Sequence, residues 1–134
     1  MLIKLDIKSN ERQEMLVITD LIRDALSEND IKNGLCFLFC PHTTAGLTIN
    51  SYLDPATAKD LIHEIDRLVP TRTDFIHVFD TPSDAAGHIK ASLIGGQLGL
   101  IVEEGELQLA VSQGIFFWEF DGPRSRQIYL KVVS

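Results

Sequence analysis

Apolar and polar residues alternate along Leu2–Ile7, with Ile3, Leu5 and Ile7 on one side and Leu2, Lys4 and Asp6 on the other. That period predicts a half-buried strand. Ser9–Arg12 reads as a turn and Glu14–Ile18 as a second strand. From Thr19, the expected N-cap, Leu21, Ile22, Ala25 and Leu26 fall at helical spacing to about Glu28. Asn33-Gly34 marks a turn. Leu35–Cys40 is apolar throughout, the pattern of a strand buried on both faces, and Leu47–Asn50 resumes the extended pattern.

Asp54-Pro55 is a helix start, because Asp54 can cap and Pro55 loses no hydrogen bond at the first position. The apolar stripe of that helix is Ala58, Leu61, Ile62, Ile65, Leu68 and Val69, and Pro70 stops it. Phe75–Phe79 alternates as a strand that carries His77 between two phenylalanines. Thr81–Asp84 opens a short helix through His88, which Gly95-Gly96 ends. Three strands close the chain, at about Gln97–Glu103, Glu106–Phe120 and Ser125–Val133. The middle one is too long to be straight, and Gly114 predicts a bulge or bend. Phe116, Trp118 and Phe120 alternate within it and are expected in the core or at a subunit interface. Helices and strands do not alternate strictly, so the order predicts an α+β fold, one domain over 1–134.

The 134 residues are 45% hydrophobic and 23% charged, which suits an ordinary globular core. Charge breaks the first residues at once, and no apolar run nears the roughly 20 residues a membrane helix needs. A cytoplasmic protein is expected. Only 12 basic residues stand against 19 acidic ones, for a net charge of −7, which argues against nucleic acid. A small phosphorylated ligand needs only a few local cations and N–H groups and remains compatible. Cys36 and Cys40 are too far apart along one strand for a disulfide. They are expected as small buried apolar residues; a reactive Cys40 beside His42 is the alternative.

Candidate chemistry centres on the polar knot Pro41-His42-Thr43-Thr44-Ala45-Gly46, set between two apolar runs. Packing alone does not call for it. With His77 and His88 it offers three imidazoles, enough for a catalytic zinc with a water in the fourth position, or for acid–base work. His63 lies off the apolar stripe of its helix and is expected on the surface. Asp54, Asp60, Asp80 and Asp84 could support such a site, although capping and surface charge account for Asp54 and Asp84. Arg124 and Arg126 flank Ser125. Side by side they need an anion or carboxylates between them: a phosphate, or salt bridges to Glu119 or Asp121.

The chain resembles the YjbQ family, uncharacterised protein family UPF0047. The residues that carry the resemblance are His42-Thr43-Thr44-Ala45 with Asn50, Asp54-Pro55, Asp60, Pro70 and His77. They continue with His88–Gly95, Gly105, Gln113-Gly114-Ile115 and Glu119–Arg126. The resemblance implies a barrel-like, mostly antiparallel sheet with two longer helices and one short helix, and a homotrimer. It also implies a site around the histidines that takes a metal or an anion. It implies, too, a secondary thiamine-phosphate synthase activity, a transferase side activity.

The resulting expectation is an enzyme acting on a small phosphorylated metabolite. His42, His77 and His88 would be catalytic or would hold a divalent metal, zinc or magnesium. Thr43, Thr44, Ala45, Lys90, Arg124 and Arg126 would meet phosphate. The alternative is a non-catalytic trimeric protein that binds a metal or metabolite. Two positions depart from the family: Ser112 stands where it usually has tryptophan, and Ser51 where it tends to have glutamate.

Overall fold

A computed structural model describes residues 1–71 and 82–134. The expected strand Phe75–Phe79, and His77 with it, lies outside the described residues. The elements run β1 (Leu2–Lys8), β2 (Glu14–Val17), α1 (Thr19–Glu28), β3 (Gly34–Phe39), β4 (Ala45–Ser51) and α2 (Pro55–Leu68). They continue with α3 (Pro82–Ile94), β5 (Gln97–Glu103), β6 (Glu106–Leu107), β7 (Gln113–Glu119) and β8 (Ser125–Val133). Five strands form one sheet in the order β1-β8-β3-β5-β6, and three form another in the order β2-β7-β4. Among the described residues every pairing is antiparallel, and with the three helices described the two sheets make an α+β half-barrel.

The inner face of the large sheet supplies Ile7, Cys36, Leu38, Leu100, Val102, Ile128 and Leu130 to the main core. Ile22 and Leu26 of α1, Leu47 of β4 and Ile115 and Phe117 of β7 complete it. β7 is covered on both sides, because Trp118 and Phe120 turn the other way and pack with Ile65 of α2. The three aromatics of the alternating stretch are thus core, each at most 3% exposed.

Four expectations need correction. Leu35, Phe37 and Phe39 of β3 are 59%, 43% and 38% exposed, so that strand is buried on one face only. An apolar run does not say whether its second face is covered by the same chain. Thr19 does not cap α1: Ile18 occupies the cap position without a side-chain bond, and Thr19 Oγ1 instead accepts from the Ile115 N–H at 2.9 Å. The Glu106–Phe120 stretch breaks into β6 and β7 before Gly114 rather than bending there. The third helix is not short, for α3 has 13 residues, against 10 in α1 and 14 in α2. Asp54 does cap α2, its Oδ1 accepting from the Ala56 N–H at 2.9 Å.

α3 sits close against the loop between β3 and β4. A Cβ at Gly46 would lie 2.7 Å from the Gly95 carbonyl oxygen, and one at Gly87 would lie 3.3 Å from Thr44 Cγ2. Only small residues allow this approach, and it brings His88 towards the His42 loop.

Candidate functional site

β3 pairs with β8 as far as Phe39 and Tyr129, and then the chain turns away. The next backbone groups of β8 belong to Gln127, and the His42 ring takes the place of the missing strand. Its Nε2 lies 3.0 Å from both the Gln127 nitrogen and the Gln127 carbonyl oxygen. With a hydrogen on Nε2 the ring donates to the carbonyl; without one it accepts from the N–H. Either way Nε2 is occupied and Nδ1 is the nitrogen left for chemistry. Burial and then the Arg126 guanidinium hold the His42 pKa below its ordinary value, so the ring is neutral at neutral pH.

His88 is the seventh residue of α3, with Nε2 3.1 Å from Asp84 Oδ2. Asp84 is only 8% exposed and orients the ring, which the expectation of a surface charge missed. The signal was present in the sequence, since Asp84 and His88 are one helical turn apart. His42 and His88 line one cleft of about 310 Å³ together with Thr43, Ala45, Ala91, Ser92 and Gly96.

The other expected phosphate contacts point elsewhere. Thr44 is buried, and its Oγ1 and carbonyl oxygen accept from Arg126 Nη2 at 2.8 and 3.4 Å. Arg126 and Glu119 form a buried ion pair, with Nε donating to Oε1 at 2.8 Å and Nη2 to Oε2. Ser9 Oγ donates to Glu119 Oε1 at 2.7 Å, and the Asp121 N–H donates to Oε2 at 3.2 Å. Burial pushes the Glu119 carboxyl up, but these donors together hold it below its ordinary value. Arg124 is half exposed, yet its Nη2 donates to Asp121 Oδ2 at 2.9 Å. Lys90 has no exposed surface and donates to Asp66 Oδ1 at 2.5 Å. The salt-bridge alternative for the arginines is the one the structure contains. Among the described residues no lysine or arginine lines the cleft.

Both cysteines are buried and free. Burial pushes their thiols up to about 11, which leaves no reactive thiolate at Cys40. A larger hollow, about 370 Å³ at the start of α1, has Asp20 and Arg23 as its charged lining. They pair with each other at 3.3 Å, so that hollow offers little to a charged ligand. Among the described residues no three histidine, cysteine or carboxylate side chains are placed to hold a metal ion, and no helix is long and apolar enough to cross a membrane.

The model of the family described as UPF0047 protein YjbQ-like matches residues 3–134. The chain belongs to the YjbQ family. Its relatives include a UPF0047 protein of Methanocaldococcus jannaschii, 44% identical over all of this chain and 95% of its own length. Another is the UPF0047 protein YugU of Bacillus subtilis, 41% identical over the whole of both chains. Among solved structures, a YjbQ/UPF0047-family protein of Clostridium acetobutylicum is 38% identical and covers 98% of this chain and 99% of its own, with a TM-score of 0.89. A hypothetical protein of Aeropyrum pernix K1 is 29% identical and covers 100% of this chain and 98% of its own, with a TM-score of 0.92. These names place the chain in a family and state no reaction.

Proposed function

We propose that the cleft between the β3–β4 loop and α3 is the site of an enzyme acting on a small phosphorylated metabolite. The observation that carries the reading is the convergence of His42 and His88, each with its ring fixed by a second group, Gln127 or Asp84. Rings fixed in this way are what ligand binding or proton transfer requires.

A phosphorylated substrate also needs positive charge, and Lys90, Arg124 and Arg126 each already face a carboxylate. A divalent metal would supply it. His42 through Nδ1 and His88 would contribute to holding that metal, with His77 as the third candidate. Imidazoles suit zinc better than magnesium, which prefers oxygen ligands. Bound there, the metal would act as a Lewis acid on a phosphate oxygen. Thr43 and Ser92, which line the cleft, would orient substrate. A thiamine-phosphate synthase-like transfer is one reaction of this class.

The test is metal content by plasma mass spectrometry, together with calorimetric titration of inorganic pyrophosphate, on wild type, His42→Ala and His88→Ala. Near-stoichiometric zinc and pyrophosphate binding in the wild type, both lost in the variants, is the expected result. Unchanged zinc and pyrophosphate binding in both variants would overturn the assignment of the cleft.

A second reading is a non-catalytic homotrimer that binds a metal or metabolite. The exposed apolar face of β3 favours self-association under either reading. Tight ligand binding without turnover of any phosphorylated candidate would select it.

A further inference from the structure

The loop that carries His42 is anchored at a residue that does not line the cleft. His42, Thr43 and Ala45 line it, while Thr44 is buried at 5% exposure. Two strands hold the polar atoms of Thr44. Its Oγ1 accepts from Arg126 Nη2 at 2.8 Å, and its carbonyl oxygen accepts from the Phe120 N–H at 3.0 Å. Arg126 is fixed in turn by Glu119, and Gln127, the next residue of β8, meets the His42 ring. β8 thus grips the loop twice, by a side chain at Thr44 and by backbone groups at His42.

The methyl of Thr44 faces α3. A Cβ built at Gly87 would lie 3.3 Å from Thr44 Cγ2 and 3.5 Å from the Phe120 carbonyl oxygen, tighter than ordinary contact with the methyl. Gly87 is the sixth of the 13 residues of α3, and its φ is not in the left-handed region. Its backbone therefore does not call for glycine, which weakens a helix interior. The close approach of Thr44 does call for it. The residue after Gly87 is His88, so this contact fixes how near α3 brings that ring to the His42 loop.

We infer that Thr44 is a positioning residue of the cleft: its hydroxyl ties the His42 loop to Arg126, and its methyl against Gly87 sets the spacing between His42 and His88. A β-branched side chain is stiff at χ1, so the two contacts, made from one Cβ, hold a fixed direction relative to each other. Serine would lose the methyl and valine the hydroxyl. Arg126 acts on the site through Thr44 and not on a substrate. The inference rests on the metal-site reading above and adds what spaces its two described histidines.

Calorimetric titration of zinc, and NMR spectra of the imidazole rings in the metal-free protein, test it on four full-length chains. These are the wild type, Gly87→Ala, Thr44→Val, and Thr44→Ser combined with Gly87→Ala, each confirmed as folded by circular dichroism. Gly87→Ala should bind zinc about 10–100-fold more weakly, although alanine favours the helix. The combined variant, which removes the methyl that the new one meets, should recover the affinity. Thr44→Val keeps a methyl against Gly87 but frees the loop from Arg126, and should also weaken zinc binding. The His42 and His88 ring signals, assigned by alanine substitution, should shift in Gly87→Ala and return in the combined variant. That of His63, exposed on α2, should stay in place throughout. Unmoved His42 and His88 signals in Gly87→Ala, or a folded combined variant that recovers nothing, would overturn the spacing role of the methyl. Wild-type zinc affinity in Thr44→Val would overturn the tie to Arg126. A wild type that binds no zinc would overturn the metal reading instead, and the ring signals would then decide the inference by themselves.

Discussion

Two ion pairs, one of them joining α3 to α2, differ in access to water. Glu119 and Arg126 are both sealed, at 0% and 7% side-chain exposure, and they bind Ser9 and Thr44 as well as each other. Lys90 is equally sealed, but its partner Asp66 is 39% exposed and also accepts from Gln13 Nε2 at 2.7 Å. In the first pair, removing either group strands a charge in the core. In the second, the carboxylate can turn to water if the lysine is lost. A basic residue drawn into the fold is thus no free phosphate ligand, and its importance to stability depends on what its partner can reach.

The comparison is broken most directly at the sealed pair. Arg126→Met should destabilise the protein by about 3–5 kcal/mol in urea unfolding, the cost of leaving one buried partner alone. A loss below about 1 kcal/mol would put the pair in the class of exposed ones. Acid should have the next largest effect. Glu119 and Asp66 both lie below the ordinary carboxyl pKa despite burial, because of Arg126 and Ser9 in one case and Lys90 and Gln13 in the other. The unfolded chain therefore takes up protons first. Stability that is fully present above the ordinary carboxyl range should be lost progressively from about pH 5 downwards, as urea midpoints across that range would show.

The half-open pair should respond less, and unequally. Asp66→Asn, which leaves the Lys90 ammonium facing a neutral acceptor, should cost about 1–2 kcal/mol. Lys90→Met should change stability by less than about 1 kcal/mol, since Asp66 keeps Gln13 and water. Equal large losses from both substitutions would erase the distinction between the two pairs. His42→Ala should cost about 1 kcal/mol, as the Gln127 backbone groups lose a partner at a half-buried site. The smallest effect concerns Cys36 and Cys40. With thiols near 11, both should resist labelling in the folded protein at mildly alkaline pH and react only as it unfolds.

Much of the fold was legible in the alternation of residues. β1, α1, α2 with its Asp54 cap, β5 and β8 follow from period and punctuation alone. The outer face of β3 was not, because Leu35, Phe37 and Phe39 look the same in sequence whether they meet a helix or open surface. At the site, the sequence singled out His42 and His88, because imidazoles next to apolar runs are hard to explain by packing. It could not show that Lys90 meets Asp66, since an ion pair between separate helices leaves no local pattern, whereas the salt bridge from Arg126 to Glu119 was one of the two alternatives it offered. Asp84 was readable from its spacing to His88, but capping explained it equally well.

The His42 ring stands in for a strand residue, and this makes one amide of β8 a reporter on the cleft. The Gln127 N–H looks onto one nitrogen of a ring that lines the cleft, and the other nitrogen is the one left for a ligand. Whatever occupies Nδ1 fixes the tautomer of the whole ring and so decides whether Nε2 accepts from that N–H or donates to the carbonyl. Deuterium uptake and the nitrogen-15 shift of Gln127 should therefore register a ligand that never touches Gln127. Occupancy of the cleft could be followed in this way before any substrate is known.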